Sequence, residues 1–357
     1  MEIYLYMLFF AVSFYAINKT VYNEIIEKLL FSLMFVMLFI ISAIRKHVGT
    51  DYGVYLNVYS SIQDRIYDGE GMEIGYFYLN KITKDLIGGE YTIFIVTSLI
   101  IMLLVYLTIK NFSVDPLLST LLFMCIGTYL GSFNIIRQSI AIALILYSYK
   151  YCETKIIWII PILVASLFHT TALMVIPFYI ISKMNLKKEH YIIIGIVGVL
   201  LYLSYGRTVA YLTNFIEGFE HYQDSKFVTE GANPIRTLIS IFILLFCYLS
   251  YDEINEDRKI KFAFTMMVFG SICALFMLKG KIFARVVGYF DVFNILVVPY
   301  VVAKTKKYEL RKFSLFVTIS IVFCCSYYFY YSIKTNQGDV IPYKTYISEI
   351  REGGNYE

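Results

Sequence analysis

A chain of 357 residues that is 59% hydrophobic and only 16% charged carries far more apolar surface than a soluble domain of that length can hide. Its net charge of +4, from 31 basic and 27 acidic residues, is spread over membrane flanks, so it fits topology and anionic lipid and gives no sign of nucleic-acid binding. The composition therefore excludes a soluble globular protein and predicts one that lives in a bilayer.

Taken in chain order, the first apolar segment is EIYLYMLFFAVSFYAI, residues 2 to 17. It has neither a basic leader nor a small-residue cleavage site, and is expected to be a retained span and not a signal peptide. Further apolar segments follow at 29–44, 92–109, 117–131, 139–150, 156–181, 190–204, 237–251, 262–278, 286–302 and 313–330. Several fall short of the ~20 residues that a perpendicular helix needs, so their edges run into the adjoining loops. Continuous apolar runs without strand alternation must be helical in lipid. The predicted fold is all-α: a single polytopic membrane domain over residues 1–357, with about 11 to 12 transmembrane or half-membrane helices.

Orientation follows from the connections. The short links at 18–28, 110–116, 150–155, 182–189, 252–261 and 303–312 hold more than half of the 31 Lys and Arg residues in less than half the length of the other connections, and are assigned to the cytoplasm. The longer ones then face outward: the first loop at 45–91, the link at 132–138, the loop at 205–236, the link at 279–285 and the tail at 331–357. The polar loop at 205–236 is expected to form a short helix or lid over a groove and to hold acceptor specificity.

One stretch breaks the alternation. IIWIIPILVASLFHTTALMVIPFYII, residues 156 to 181, has the length of a single span, yet basic links flank both of its ends. Parity is restored either by a break near Phe168, His169 and Thr170, which the polar His-Thr-Thr cluster would help to satisfy, or by a short neighbour such as 139–150 that does not cross. The six cysteines lie in or at the ends of apolar segments with no CxxC spacing, which supports neither a disulfide framework nor a zinc site. No phosphate-binding loop, dinucleotide fingerprint or internal repeat is present.

What remains is a set of ionisable residues at the outer face, where a charge near hydrocarbon is a functional candidate and a snorkelling side chain is its everyday alternative. In RKHVGTDYGVY, residues 45 to 55, Gly49 permits a tight turn that holds Asp51 above the bilayer beside cations. Such a carboxylate suits a general base or a sugar hydroxyl acceptor, and equally an ordinary turn aspartate. Glu73, in GMEIGYFYLN, is similar. Arg137, in GSFNIIRQSIAIALIL with Asn134 one turn before it, places a guanidinium at the start of an apolar helix, where the helix dipole is already positive; the arrangement calls for a bound anion, such as phosphate. His169 in the expected break can exchange a proton near neutral pH, or be a histidine satisfied by a backbone carbonyl or a neighbouring threonine. Lys279, Lys281 and Arg285, in LKGKIFARVVGYF, put three cations on an outward link. A diphosphate explains them, as do ordinary lipid headgroups. Tyrosines, Tyr52 among them, crowd the first outer loop and suit both an interfacial belt and sugar stacking.

Taken together, RKHVGTDYGVY, MEIGYFYLN, NIIRQSIAIAL, SLFHTTALMVIPFYI, the Arg285 link and VIPYKTYI resemble, in that order, the EpsG-type branch of the bacterial O-antigen and exopolysaccharide polymerases known as Wzy. The resemblance implies a glycosyltransferase of the bacterial cytoplasmic (inner) membrane. Its donor and acceptor would both be oligosaccharide repeats on undecaprenyl diphosphate, joined at the outer face, with a flippase and a chain-length regulator as candidate partners. On that reading Arg45, Arg137, Lys281 and Arg285 bind diphosphate, Glu73, Asn134 and Tyr52 contact sugar, and Asp51 or His169 accepts the hydroxyl proton. No cofactor is expected and a metal is not required. Two other classes stay open: a flippase or transporter, which would favour intramembrane charges and short loops, and a membrane O-acyltransferase, for which His169 is the one intramembrane histidine.

Overall fold

The computed structural model describes residues 1–21, 23–69, 71–206, 230–232, 234–305 and 311–346, with the backbone alone at 311–314. Most of the loop at 205–236, including its expected lid, and the last part of the tail lie outside the described residues. Among these residues the regular structure is helical, and the sole β-type pairing is an isolated bridge between Arg45 and Thr345. The chain is an all-α polytopic membrane protein. Among the described residues, five helices are long and apolar enough to cross a membrane: Glu2–Val21, Glu24–Ala43, Thr92–Phe112, Arg258–Phe276 and Leu315–Lys334. A sixth crossing arises if the pair Phe283–Asp291 and Asn294–Thr305, bent by 45°, counts as one broken span. Several of the other expected segments form helices shorter than a crossing.

The chain divides into two compact units, residues 1–174 with 325–357, and residues 175–324. The first unit contains α1 (Glu2–Val21), α2 (Glu24–Ala43), α3 (Tyr52–Ser60), α4 (Ile74–Leu86), α5 (Thr92–Phe112), α6 (Pro116–Cys125), α7 (Thr128–Gly131), α8 (Ile136–Ser148) and α9 (Ile159–Ser166). α5 packs on α2 and α8, and α8 packs on α9. Every residue of α6 from Leu117 to Cys125 is buried. Its start is fixed by sequence: Asp115 accepts from the Leu118 amide at 3.2 Å, and Pro116 takes the first helical position, where its missing N–H costs nothing. Asp115 also receives Lys19 Nζ at 2.5 Å, so two links assigned to the cytoplasm meet.

The second unit contains α10 (Val175–Ser182), α11 (Lys188–Leu203), α12 (Pro234–Leu249), α13 (Tyr251–Asn255), α14 (Arg258–Phe276), α15 (Phe283–Asp291) and α16 (Asn294–Thr305). It also holds the first part of α17 (Arg311–Lys334), whose remainder belongs to the first unit. α14 is its axis. Most of that helix is buried, and α10, α11, α12, α15 and α16 all pack on it. Asp257 caps it through the amides of Lys259 and Ile260 at 2.9 and 3.1 Å. Links assigned to one side again meet, as Lys304 pairs with Glu256 at 2.9 Å and Lys261 reaches Asn185 at 2.8 Å.

Residues 156 to 181 are not one helix. α9 stops at Ser166, a 3₁₀ turn occupies Thr170–Met174, and α10 begins at Val175. The break falls at Leu167, Phe168 and His169, beside the His-Thr-Thr cluster.

Candidate functional site

At the break, the first unit brings together three segments that lie far apart in the chain. Glu73 occupies the N-cap position of α4 in extended backbone, yet its carboxylate caps none of its own helix's amides. It bridges two other segments instead: Oε2 accepts from Arg137 Nη1 at 2.5 Å, and Oε1 meets His169 Nδ1 at 2.8 Å. The backbone docks alongside, with the Gly75 amide donating to the Leu167 carbonyl at 2.8 Å. That contact pairs an orphan donor from the first turn of α4 with a carbonyl at the break, so neither is left bare in an apolar setting. It also explains the glycine. A Cβ at position 75 would stand 2.7 Å from the Leu167 oxygen.

Exposure orders the three side chains. Glu73 is the deepest at 13%, His169 follows at 20% and Arg137 at 31%, so the imidazole and the guanidinium are more accessible than the carboxylate between them. Partial burial pushes the Glu73 carboxyl up, but the His169 hydrogen bond, a backbone amide and the Arg137 charge outweigh it and hold the group at about 2. Glu73 is therefore a carboxylate at neutral pH. The anion that a guanidinium at the start of α8 calls for is supplied by the chain itself, and the Tyr55 hydroxyl stands beside the same guanidinium.

The RKHVGTDYGVY segment forms a second cluster in the same unit. Arg45 was expected at a diphosphate, but it is 1% exposed. It donates to the Ser42 carbonyl and lies over the rings of Phe94 and Phe133, 5.1 and 4.8 Å from their centroids. Two aromatic faces replace the water that a cation just past the end of α2 would otherwise seek. Tyr52, expected to contact sugar, is equally buried and stacks flat on Phe94 at 4.3 Å. Asn134, also expected at sugar, instead accepts from the amide and hydroxyl of Thr50 at 2.5 and 3.0 Å. Gly49 makes room for it with φ +108°, where a Cβ would come within 2.9 Å of the Asn134 oxygen. Asp51 is half-buried, accepts from Thr50 Oγ1 at 3.2 Å, and forms no ion pair among the described residues. The tail closes over this loop: Lys46 donates to the Lys344 carbonyl at 2.8 Å, Gly49 to Asp339 at 2.9 Å, and Tyr343 to Ile41 at 2.8 Å.

In the second unit, Lys281 pairs with Glu230 at 2.7 Å, and both are exposed. Lys279 donates to the Tyr202 carbonyl at 2.8 Å and lies over that tyrosine's ring, while Arg285 is exposed on the first turn of α15. This unit also holds a pair not foreseen from sequence. Arg236, on the first turn of α12, reaches Asp291, the last residue of α15, at 3.5 Å, with both side chains largely buried. A lone aspartate inside the apolar run at 286–302 was the available signal. Among the described residues no three His, Cys, Asp or Glu side chains converge as a ligand set.

These features define a class: a multi-pass helical membrane protein whose expected outer loops meet around a small charged cluster. A family model described as the EpsG family matches residues 28–345. The chain belongs to that family, a Wzy-like family of the polymerase type associated with polysaccharide biosynthesis. No curated protein and no solved structure matches it.

Proposed function

We propose that this chain is the polymerase of a bacterial surface polysaccharide, acting at the outer face of the cytoplasmic membrane on oligosaccharide repeats carried by undecaprenyl diphosphate. The observation that carries the reading is the Arg137–Glu73–His169 cluster, partly exposed and set within the region that the family model matches. A hydroxyl of one lipid-linked repeat attacks C1 of the sugar at the head of the other. A new C1–O bond forms, the C1–O bond to phosphate breaks, and its electron pair leaves with undecaprenyl diphosphate. The hydroxyl proton passes to a base, His169 or Asp51. Diphosphate is a good leaving group, so positioning, a proton acceptor and positive charge are sufficient. Arg137 offers that charge in the first unit, and Lys281 and Arg285 are the candidates in the second. Arg45, sealed between rings, is given a structural role beneath the loop.

The test is a surface-polysaccharide gel from a knockout strain complemented with wild type, Arg137→Ala, His169→Ala and Asp51→Asn, with the membrane level of each variant measured. The reading expects wild type to restore a ladder, and Arg137→Ala with at least one of the other two to leave single repeats. A knockout that still makes a normal ladder overturns it.

A further inference from the structure

We infer that Glu73 is a positioning residue that holds His169 with its proton on Nδ1, so that Nε2 is the atom that takes the proton from the attacking hydroxyl. The inference rests on the polymerase reading and deepens it, because it chooses between the two candidate bases. It is carried by geometry. Oε1 of Glu73 is 2.8 Å from His169 Nδ1, and Oε2 is held by Arg137 at 2.5 Å, so the carboxylate cannot turn away from the ring. A carboxylate only accepts hydrogen bonds, so the proton between Glu73 and the ring belongs to Nδ1. A neutral imidazole protonated at Nδ1 carries its lone pair on Nε2, which has no hydrogen-bond partner among the described residues. Free imidazole side chains do not need this arrangement; a fixed acceptor imposes it, as outer carboxylates do for metal-bound and triad histidines.

The backbone makes the arrangement rigid. His169 follows the end of α9, where its amide donates to the Ala165 carbonyl at 3.0 Å, and the Gly75–Leu167 hydrogen bond fixes the start of α4 against the same turn. The charged and titratable groups around the ring are Glu73 from α4 and, behind it, Arg137 from α8, with Tyr55 of α3 beside Arg137. In the transfer step the acceptor hydroxyl gives its proton to Nε2 as its oxygen bonds to C1, and the departing diphosphate takes the electrons of the broken C1–O bond. The imidazolium so formed lies against the Glu73 carboxylate, which stabilises it without taking the proton. Asp51 accepts from Thr50 Oγ1 at 3.2 Å and forms no ion pair among the described residues.

The experiment is nitrogen-15 NMR on the full chain in lipid nanodiscs with labelled histidine, at a pH where imidazole is neutral. The chain has four histidines, and His169→Asn assigns the signal. Wild type is expected to show the Nδ1-protonated form at His169, and Glu73→Ala to lose it. In the complemented strain Glu73→Ala should lower polymer formation by roughly 10-fold or more, and combining it with His169→Ala should add little to the loss from His169→Ala alone. Glu73→Gln serves as the variant closest in shape. Its single amide oxygen can satisfy only one of the two donors, so it should show a mixed tautomer and an intermediate ladder. The inference is overturned if wild type holds the proton on Nε2, or if both Glu73 variants lose the tautomer and keep a normal ladder. Failure of the polymerase reading looks different: a normal ladder in the knockout itself, whatever the spectrum shows.

Discussion

Each unit contains an arginine on the first turn of a helix that reaches a carboxylate at the end of another helix, beside an interrupted apolar stretch. In the first unit the pair is Arg137–Glu73 at the break after α9, and in the second it is Arg236–Asp291 at the bend between α15 and α16. The chemistry is the same and the settings differ. Glu73 uses both oxygens, one on Arg137 and one on His169, and its partners are 31% and 20% exposed. Asp291 is 4% exposed, 3.5 Å from its arginine, and its Oδ1 has no partner among the described residues. An arginine–carboxylate pair becomes a candidate reaction centre when it also holds a proton carrier within reach of a ligand. Sealed inside a helix crossing, the same pair is a strut.

The sharpest way to break this comparison is to remove the proposed proton carrier. His169→Ala is expected to cut polymer formation by about 10²- to 10⁴-fold while the purified chain unfolds near the wild-type temperature, as read from the gel ladder and a thermal melt. The reverse pattern is expected of the strut. Asp291→Ala leaves Arg236 buried without its anion and should cost about 3 to 5 kcal/mol, seen as a lower melting temperature in detergent. The double variant Arg236→Met with Asp291→Leu should recover most of it. If Asp291→Ala melts normally and abolishes the ladder, the second pair is a reaction centre as well and the contrast fails.

A smaller effect sharpens the geometry. Gly75→Ala puts a methyl group 2.7 Å from the Leu167 oxygen; it should cost roughly 1 to 3 kcal/mol and weaken the ladder through the docking of α4, without touching a reacting group. The smallest is a pH effect. Glu73 is held near 2 against an ordinary value of 4.5, so its pairing stabilises the fold fully above pH 4.5 and is lost as pH falls from there toward 2. Wild type should lose its stability advantage over Glu73→Gln across that window, as read from melts at stepped pH.

The membrane class, the helical fold and the interruption near His169 were all legible in the sequence, because hydropathy, basic flanks and a polar triplet in an apolar run are local signals. The need for an anion at Arg137 was legible too, through the dipole of the helix that it starts. Its identity was not: Glu73 is 64 residues from Arg137 and 96 from His169, and no local pattern joins positions that far apart. Arg45 misled for the same reason. The rings that bury it come from Phe94 and Phe133, so a residue that reads as a surface cation next to a span is a core residue in three dimensions. Asp291 was passed over because the apolar residues around it set the reading of the whole segment.

The clasp over the RKHVGTDYGVY segment sets an order of events during biosynthesis. Residues 44 to 49 are held by backbone bonds to residues 339 to 346, so the segment that follows α2, though made early, reaches its folded form only after residues 339 to 346 have been made. A nascent chain stalled before residue 339 carries Arg137, Glu73 and His169, and holds the loop before Asp51 only through the hydrogen bonds of Thr50 to Asn134.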